Sequence, residues 1–472
     1  MAVAPYDLLV VPVQSVGQVQ TRDLPGIQGL LSTISANGEQ RHSPYPQRFQ
    51  LTRTATTSGQ RVSAISTKRV QFSYSPNRML ASEITENIRK GEWTATQVVE
   101  AFIAKAGQAQ EATNCVTEDE IEGVDATIGF TPWANSPATK NAKLVEHLLE
   151  AGAIPIVKTN VPQTMFAFEC SNPLWGTTTN PYNDKYTCGG SSGGEGALLA
   201  LDGSVIGLGS DIGGSLRIPA AYCGIYSLKP GHGRLSRQGA KAQVRLLYFR
   251  YSRLLCALHV RVTKLRPGFS DGYVKASPAC KRAVLETVEA LRREGHECVE
   301  VALPSGFVRS FAAWVIETFF GDTMYANSIR SARVKTVTEY WHFTAKRDEF
   351  FCKFYDEGLH DTILFGWSDN SIQRSRQPGG VYPVTRVDPD VDQLTDEWVH
   401  GPGLGTKIIE NQLYKGKNPF YDPVAMKGMP VGIQVVGKRW EEEKVLKMMK
   451  IVDNALGEKR GFGPGAAASI KA

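Results

Sequence analysis

Two serine-bearing glycine turns are the part of this sequence best equipped for chemistry. Cys188 to Pro230 reads CGGSSGGEGALLALDGSVIGLGSDIGGSLRIPAAYCGIYSLKP. Gly189, Gly190, Gly193, Gly194 and Gly196 surround Ser191 and Ser192. A second turn, Asp211-Ile212-Gly213-Gly214-Ser215, follows a strand-like Ser204-Val205-Ile206-Gly207-Leu208. Glycine at this density lets backbone N–H groups approach a ligand with no side chain in the way. Successive N–H groups of Ile212, Gly213, Gly214 and Ser215 can form a nest suited to a developing oxyanion. Other readings compete with that one. The loops serve equally well as plain turns between structural elements. A phosphate cradle lacks its spacing, since no GxxxxGK(S/T) occurs and Gly207-Leu208-Gly209 with Gly213 misses GxGxxG by one residue. A nucleophile elbow GxSxG fails because Leu216 and Arg217 follow Ser215. What remains is Ser191 and Ser215, each in its own glycine loop.

Such turns need rigid elements to position them. Thr94 and Gln97 are spaced as a capping box and precede Val98, Val99, Phe102 and Ile103 on one helical stripe. A second helix is predicted to start at Ser136-Pro137, with Leu144, Val145, Leu148 and Leu149 on one face and Gly152 at its end. Ala153-Ile154-Pro155-Ile156-Val157 then reads as a short buried strand. A helix over 279–294, ended by Gly295, leads into a strand at 298–302, and a strand at 432–436 leads into a helix at 441–456. This alternation predicts an α/β sheet covered by helices.

Composition narrows the function classes. With 472 residues, 42% of them hydrophobic and 21% charged, the chain can build a substantial core. A formal net charge of +6 points to nucleic acid only if the basic residues form one face. They gather instead in Ile212–Ser270, which holds Lys and Arg but no Asp or Glu. Its second half, Val244–Arg266, mixes Arg with apolar residues at no clean period and reads as aberrant sequence, so no nucleic-acid partner is expected. Residues 1–78 read as an irregular, disordered extension, 79–460 as one domain and 461–472 as a flexible tail. The eight cysteines form no CxxC pair and read as reduced thiols of a cytoplasmic protein. The early apolar run Leu8–Val13 is broken by Pro12 and too short to cross a bilayer, and it lacks a basic n-region, so no transmembrane segment or secretory signal is expected.

The stretch from GGSSGGEGAL through SDIGGSLRIPAAYCGIYSLKP resembles the signature of the amidase signature family, especially fungal acetamidase-like enzymes and fatty-acid amide hydrolase. The similarity extends upstream through IPIVKTNVPQTMFAFECSNPLWGTTTNPYN and recurs in YDPVAMKGMPVGIQVVG. It implies an α/β/α fold around a mixed twisted sheet and hydrolysis of a small or acyl amide, with no metal or organic cofactor. It leaves room for a homodimer. By resemblance, Ser215 is the nucleophile and Ser191 the bridging serine, held by a cis peptide after Gly190. The N–H groups of Ile212, Gly213, Gly214 and Ser215 would form the oxyanion hole. Asp211 and Arg217 would brace that turn, and Met165 and Phe166 would line the acyl pocket.

The family's base is a neutral lysine acting through the bridging serine. It follows a Gly-x-Pro strand and precedes a segment like Ile121-Glu122-Gly123-Val124-Asp125-Ala126-Thr127-Ile128-Gly129. Here that segment is present, and Asn114–Glu118 before it is similar to the family's first core helix. Counted back from Gly123, the lysine should fall near Val116, yet no lysine lies between Lys105 and Lys140. The expectation is a deletion at about Glu118–Asp119 and an incomplete fold, with a non-catalytic amidase remnant as the alternative function. The region near 361–380 is irregular in the same way. Lys158 and Lys229 read as structural or solvated lysines, and His232 as a surface-loop histidine with no paired nucleophile.

Overall fold

The computed structural model describes residues 81–117, 125–165, 167–236, 238–240, 248–249, 264–268, 275–298, 362–364, 377–402, 407–416, 419–457, 460–462 and 467. The expected extension 1–78, the proposed junction at 118–119, and most of Val244–Arg266 and of 361–380 lie outside them.

Helices α1 (Ala81–Arg89) and α2 (Ala95–Thr113) come first. The expected capping box is present in both halves: Gln97 N donates to the Thr94 hydroxyl at 3.1 Å, and Thr94 N to Gln97 Oε1 at 2.9 Å. Val99, Phe102, Ile103, Ala106 and Ala109 fall at helical spacing and are buried. α2 stops at Asn114, whose left-handed backbone (φ 57°) turns the chain. The Asn114 amide fastens that turn to the carbonyls of Trp175 and Thr177. Val116 then pairs antiparallel with Thr159. The likeness of Asn114–Glu118 to a core helix is therefore corrected, because Asn114 caps a helix that has already ended.

α3 (Lys143–Glu150) begins later than Ser136-Pro137, since Pro137 is held in a bridge with Asp125. Gly152 (φ 84°) ends it as expected. The predicted strand Ala153–Val157 forms no ladder: Ile156 and Val157 pack half-buried on the core, while Ile154 is 37% exposed. A strand needs a neighbour to take up its N–H and C=O groups. Among the described residues the only bridge in this region is that of Thr159 with Val116.

The hairpin β1 (Ser171–Asn172) and β2 (Gly176–Thr177) precedes α4 (Gly193–Ala200), β3 (Ile206–Gly207), α5 (Arg217–Tyr222) and β4 (Tyr226–Lys229). Then follow β5 (Tyr248–Phe249), β6 (Lys264–Gly268), α6 (Pro278–Arg293), β7 (Glu297–Cys298), β8 (Thr362–Leu364), β9 (Gly379–Arg386), α7 (Asp396–Val399), α8 (Lys407–Tyr414), β10 (Pro430–Val436) and α9 (Glu442–Leu456). The main sheet has the order β3-β5-β4-β9-β10-β8-β6-β7, antiparallel as far as β8 and parallel across β8, β6 and β7. This is the mixed α/β sheet that was expected. The predicted helix–strand and strand–helix pairs appear as α6 into β7 and β10 into α9.

Side-chain alternation along β9 and β10 feeds two cores. Val381 joins a core with α2, α4 and α5, whereas Tyr382, Val384, Ile433 and Val435 join one with α6 and α9. At Gly380 helix α9 comes so close that any Cβ would overlap Met449. Of residues 461–472, expected as a tail, Phe462 lies 4.5 Å from the Arg386 guanidinium and Ala467 is buried in the first core. No helix among the described residues is long and apolar enough to cross a membrane.

One buried ion pair joins the second glycine turn to the sheet. Asp211 and Arg217 are fully buried, with Arg217 Nε 2.9 Å from Asp211 Oδ2 and Nη2 3.2 Å from Oδ1. The carboxylate also accepts from Gly214 N at 2.9 Å and from Leu216 N and Arg217 N at 3.3 Å. Arg217 Nη1 donates to Gln434 on β10 at 3.1 Å. Burial by itself would raise the Asp211 carboxyl. The charge and hydrogen bonds of Arg217, with Lys229 and the Gly214 N–H, outweigh burial and hold it below the ordinary carboxylate value.

Asp211→Asn would leave Arg217 buried without its counter-charge and should lower the unfolding free energy by about 3–5 kcal/mol in urea titrations. Because the folded-state value is depressed, the stabilisation is complete above the unfolded aspartate value of about 3.9 and is lost as pH falls below it. The variant's stability should therefore depend less on pH in that acid range. Thr94→Ala, which removes one half of the capping box, should cost about 1 kcal/mol by the same measurement.

Candidate active site

The first glycine turn leads from Cys188 into α4, and the second from Ser210 into α5. The first approaches its surroundings too closely for side chains. A Cβ on Gly190 would lie 2.7 Å from Ala167 O, and one on Gly194 would overlap Asn160 N. The Gly190–Ser191 peptide is cis, as the resemblance implies. Ser191 is 1% exposed and Ser215 is half-buried.

Ser192 ties the two turns together. Its N–H donates to Ser215 O at 2.9 Å, and its hydroxyl accepts from Ser210 N at 3.0 Å. The sequence drew attention to Ser191 and Ser215. Only the position of Ser192 at the N-cap of α4 could have signalled this bridge. Two further polar contacts were also missed. Thr159 donates to the buried Glu195 at 2.8 Å, and Asn172 donates to Asn160 at 2.6 Å. The signal for the first was an acid inside the otherwise small and apolar GGEGALLA.

The four N–H groups expected to form an anion nest are not equivalent. That of Gly214 donates to Asp211 Oδ1 at 2.9 Å. Among the described residues, the N–H groups of Ile212, Gly213 and Ser215 have no protein acceptor. Gly213 has nothing within 4 Å of where a Cβ would stand, and Ile212 is 56% exposed. Met165 approaches this turn, with its sulfur 4.0 Å from Ser210 Oγ. Phe166 lies outside the described residues.

The lysines are occupied elsewhere. Lys158 is buried, with Nζ 3.4 Å from Asp125 O. Lys229 is fully buried, binding Pro230 O at 3.1 Å and also Gln377 O. Among the described residues no hydrogen bond joins either to Ser191. His232 is half-buried beyond β4. Val116, near which the count places the family lysine, is buried and donates its N–H to Gln110 Oε1 at 2.7 Å. The geometry thus combines a half-buried serine hydroxyl with amide donors that meet no acceptor among the described residues. That arrangement suits acyl transfer, which needs a nucleophile and a place for an oxyanion.

The family model described as Amidase matches residues 118–248. Fatty-acid amide hydrolase 1 of Sus scrofa is 33% identical over 304 residues, covering 51% of this chain and 52% of that protein, about half its length. Putative amidase kk1C of Curvularia clavata is 28% identical over 536 aligned positions, covering 90% of this chain and 98% of that protein. This alignment is longer than the 472 residues present here, so that relative carries segments with no counterpart in this chain. A solved fatty acid amide hydrolase shares the fold at a TM-score of 0.65 and 22% identity, covering 80% of this chain and 85% of its own. Family model, relatives and fold agree, and this chain belongs to the amidase signature family.

Proposed function

We propose that the chain is an amidase-type serine hydrolase, built on a single domain over 79–460, that cleaves a carboxylic amide to acid and amine. Ser215 attacks the amide carbon and the amine departs, leaving an acyl-enzyme that water then hydrolyses. Ser191 relays the proton between nucleophile and leaving group. The N–H groups of Ile212, Gly213 and Ser215 hold the oxyanion, and Asp211 and Arg217 keep their turn in shape. Met165 and Phe166 line the acyl side. The chemistry needs no metal or organic cofactor. The observation that carries this reading is the Ser192–Ser215 hydrogen bond, which makes the two serine turns one unit.

The family's lysine strand, in this reading, is deleted near Glu118–Asp119. Three observations support that: the unpaired Ala153–Val157, the absence of lysine between Lys105 and Lys140, and an alignment longer than the chain itself. Without a positioned base, acylation falls by about 100- to 10,000-fold, and the oxyanion donors sustain what remains. The missing lysine also favours a second reading, an amidase fold that binds amides or a partner without cleaving them.

Fluorophosphonate labelling of the purified full chain, with the modified residue located by mass spectrometry, separates the two. Slow labelling at Ser215, weaker in Ser191→Ala and gone in Ser215→Ala, is the expected result. A folded, soluble protein that takes up no label would overturn the hydrolytic reading and leave the binding one.

A further inference from the structure

Around α4 the core holds four cysteines that amide chemistry does not use. Cys115, Cys170, Cys188 and Cys223 are all fully buried and free. Two of them flank one point: a Cβ on Gly193, the first residue of α4, would lie 2.7 Å from Cys188 Sγ and 3.2 Å from Cys170 Sγ. The Cys170 thiol donates to Asn160 O at 3.0 Å and the Cys188 thiol to Thr178 O at 3.3 Å. Thr178 N donates in turn to Cys170 O at 2.9 Å, so the two segments are held side by side.

The pair is also chemically asymmetric. Burial would raise the Cys170 thiol, but Cys188, Thr178 and the N–H groups of Gly194 and Gly193 outweigh it and lower it. Burial and the neighbouring Cys170 push Cys188 up. Of the two, Cys170 is thus the sulfur more readily ionised.

We propose that Cys170 and Cys188 form a reversible disulfide when the protein meets a peroxide, a modification site at the start of α4. The Cys170 thiolate attacks a peroxide oxygen and the O–O bond breaks. This gives the Cys170 sulfenic acid and, from hydrogen peroxide, a hydroxide that takes up a proton and leaves as water. The Cys188 sulfur then displaces the sulfenic hydroxyl, which departs with the thiol proton as a second water. Two electrons pass from the sulfurs to the peroxide, and a dithiol reductant reverses the change. Gly193 is packed against both cysteines, so drawing the sulfurs together displaces the start of α4. That movement breaks the Ser192–Ser215 hydrogen bond and separates the two serine turns.

The test uses the full chain, reduced, treated with hydrogen peroxide, quenched in acid, unfolded, alkylated and mapped by mass spectrometry. A Cys170–Cys188 linked peptide is expected, lost on treatment with dithiothreitol. In Cys188→Ser the link should be absent and Cys170 trapped as its sulfenic acid by a 1,3-dione. Recovery of both residues as alkylated thiols, or links from them to Cys115 or Cys223 instead, would overturn the proposal. The wild-type map decides this even if the variant does not fold. Fluorophosphonate labelling of Ser215 should be lost in the disulfide form, and undiminished labelling there would refute the effect on the serine turns. Absence of label from the reduced protein counts against the hydrolase reading alone, because the disulfide map does not depend on it.

Discussion

The shape of the site depends on a charge pair sealed from water. Placing Asp211 and Arg217 in a dry interior is costly, and well-packed apolar residues can match such a pair in net stability. What apolar residues cannot supply is direction. The carboxylate collects the N–H groups of Gly214, Leu216 and Arg217, which bends the chain around it, while the guanidinium fixes that bend to Gln434 on β10. One consequence is a division of labour among consecutive amides. The Gly214 N–H faces the brace, whereas those of Ile212, Gly213 and Ser215 meet no acceptor among the described residues.

The first serine turn is held by different means. Close fit does the work there. Gly190, Gly193 and Gly194 press against the backbone of 167–169, the cysteine pair and Asn160. Shape and charge therefore secure neighbouring turns independently, and Ser192 is the polar stitch between them. A turn held by close packing is sensitive to small displacements, because dense interiors transmit them instead of absorbing them.

Local order was readable in the sequence and long-range order was not. The Thr94–Gln97 box, the buried stripe of α2 and the ends of α6 and α9 follow from propensity and period over a few residues. The two serine turns were readable as turns because glycine at such density breaks helices and strands. Sheet order was hidden, since pairing β4 with β9 and then β10 depends on partners far along the chain. Ala153–Val157 shows the limit most plainly. Its β-branched, apolar character is right for a strand, but local pattern cannot reveal that a ladder partner is lacking. The same blindness applied to Gly214, whose N–H could be assigned to the aspartate only once both were in place.

The bond from Arg217 to Gln434 spans 217 residues, which bears on how the protein is made. At a synthesis rate of about 5–20 residues per second, roughly 10–40 s separate the two ends of that contact on the ribosome. Throughout that interval Arg217 and the turn beside it lack the strand that completes them. The pace of translation over residues 218–434 thus governs how long the unfinished centre is exposed to chaperones and to mispairing.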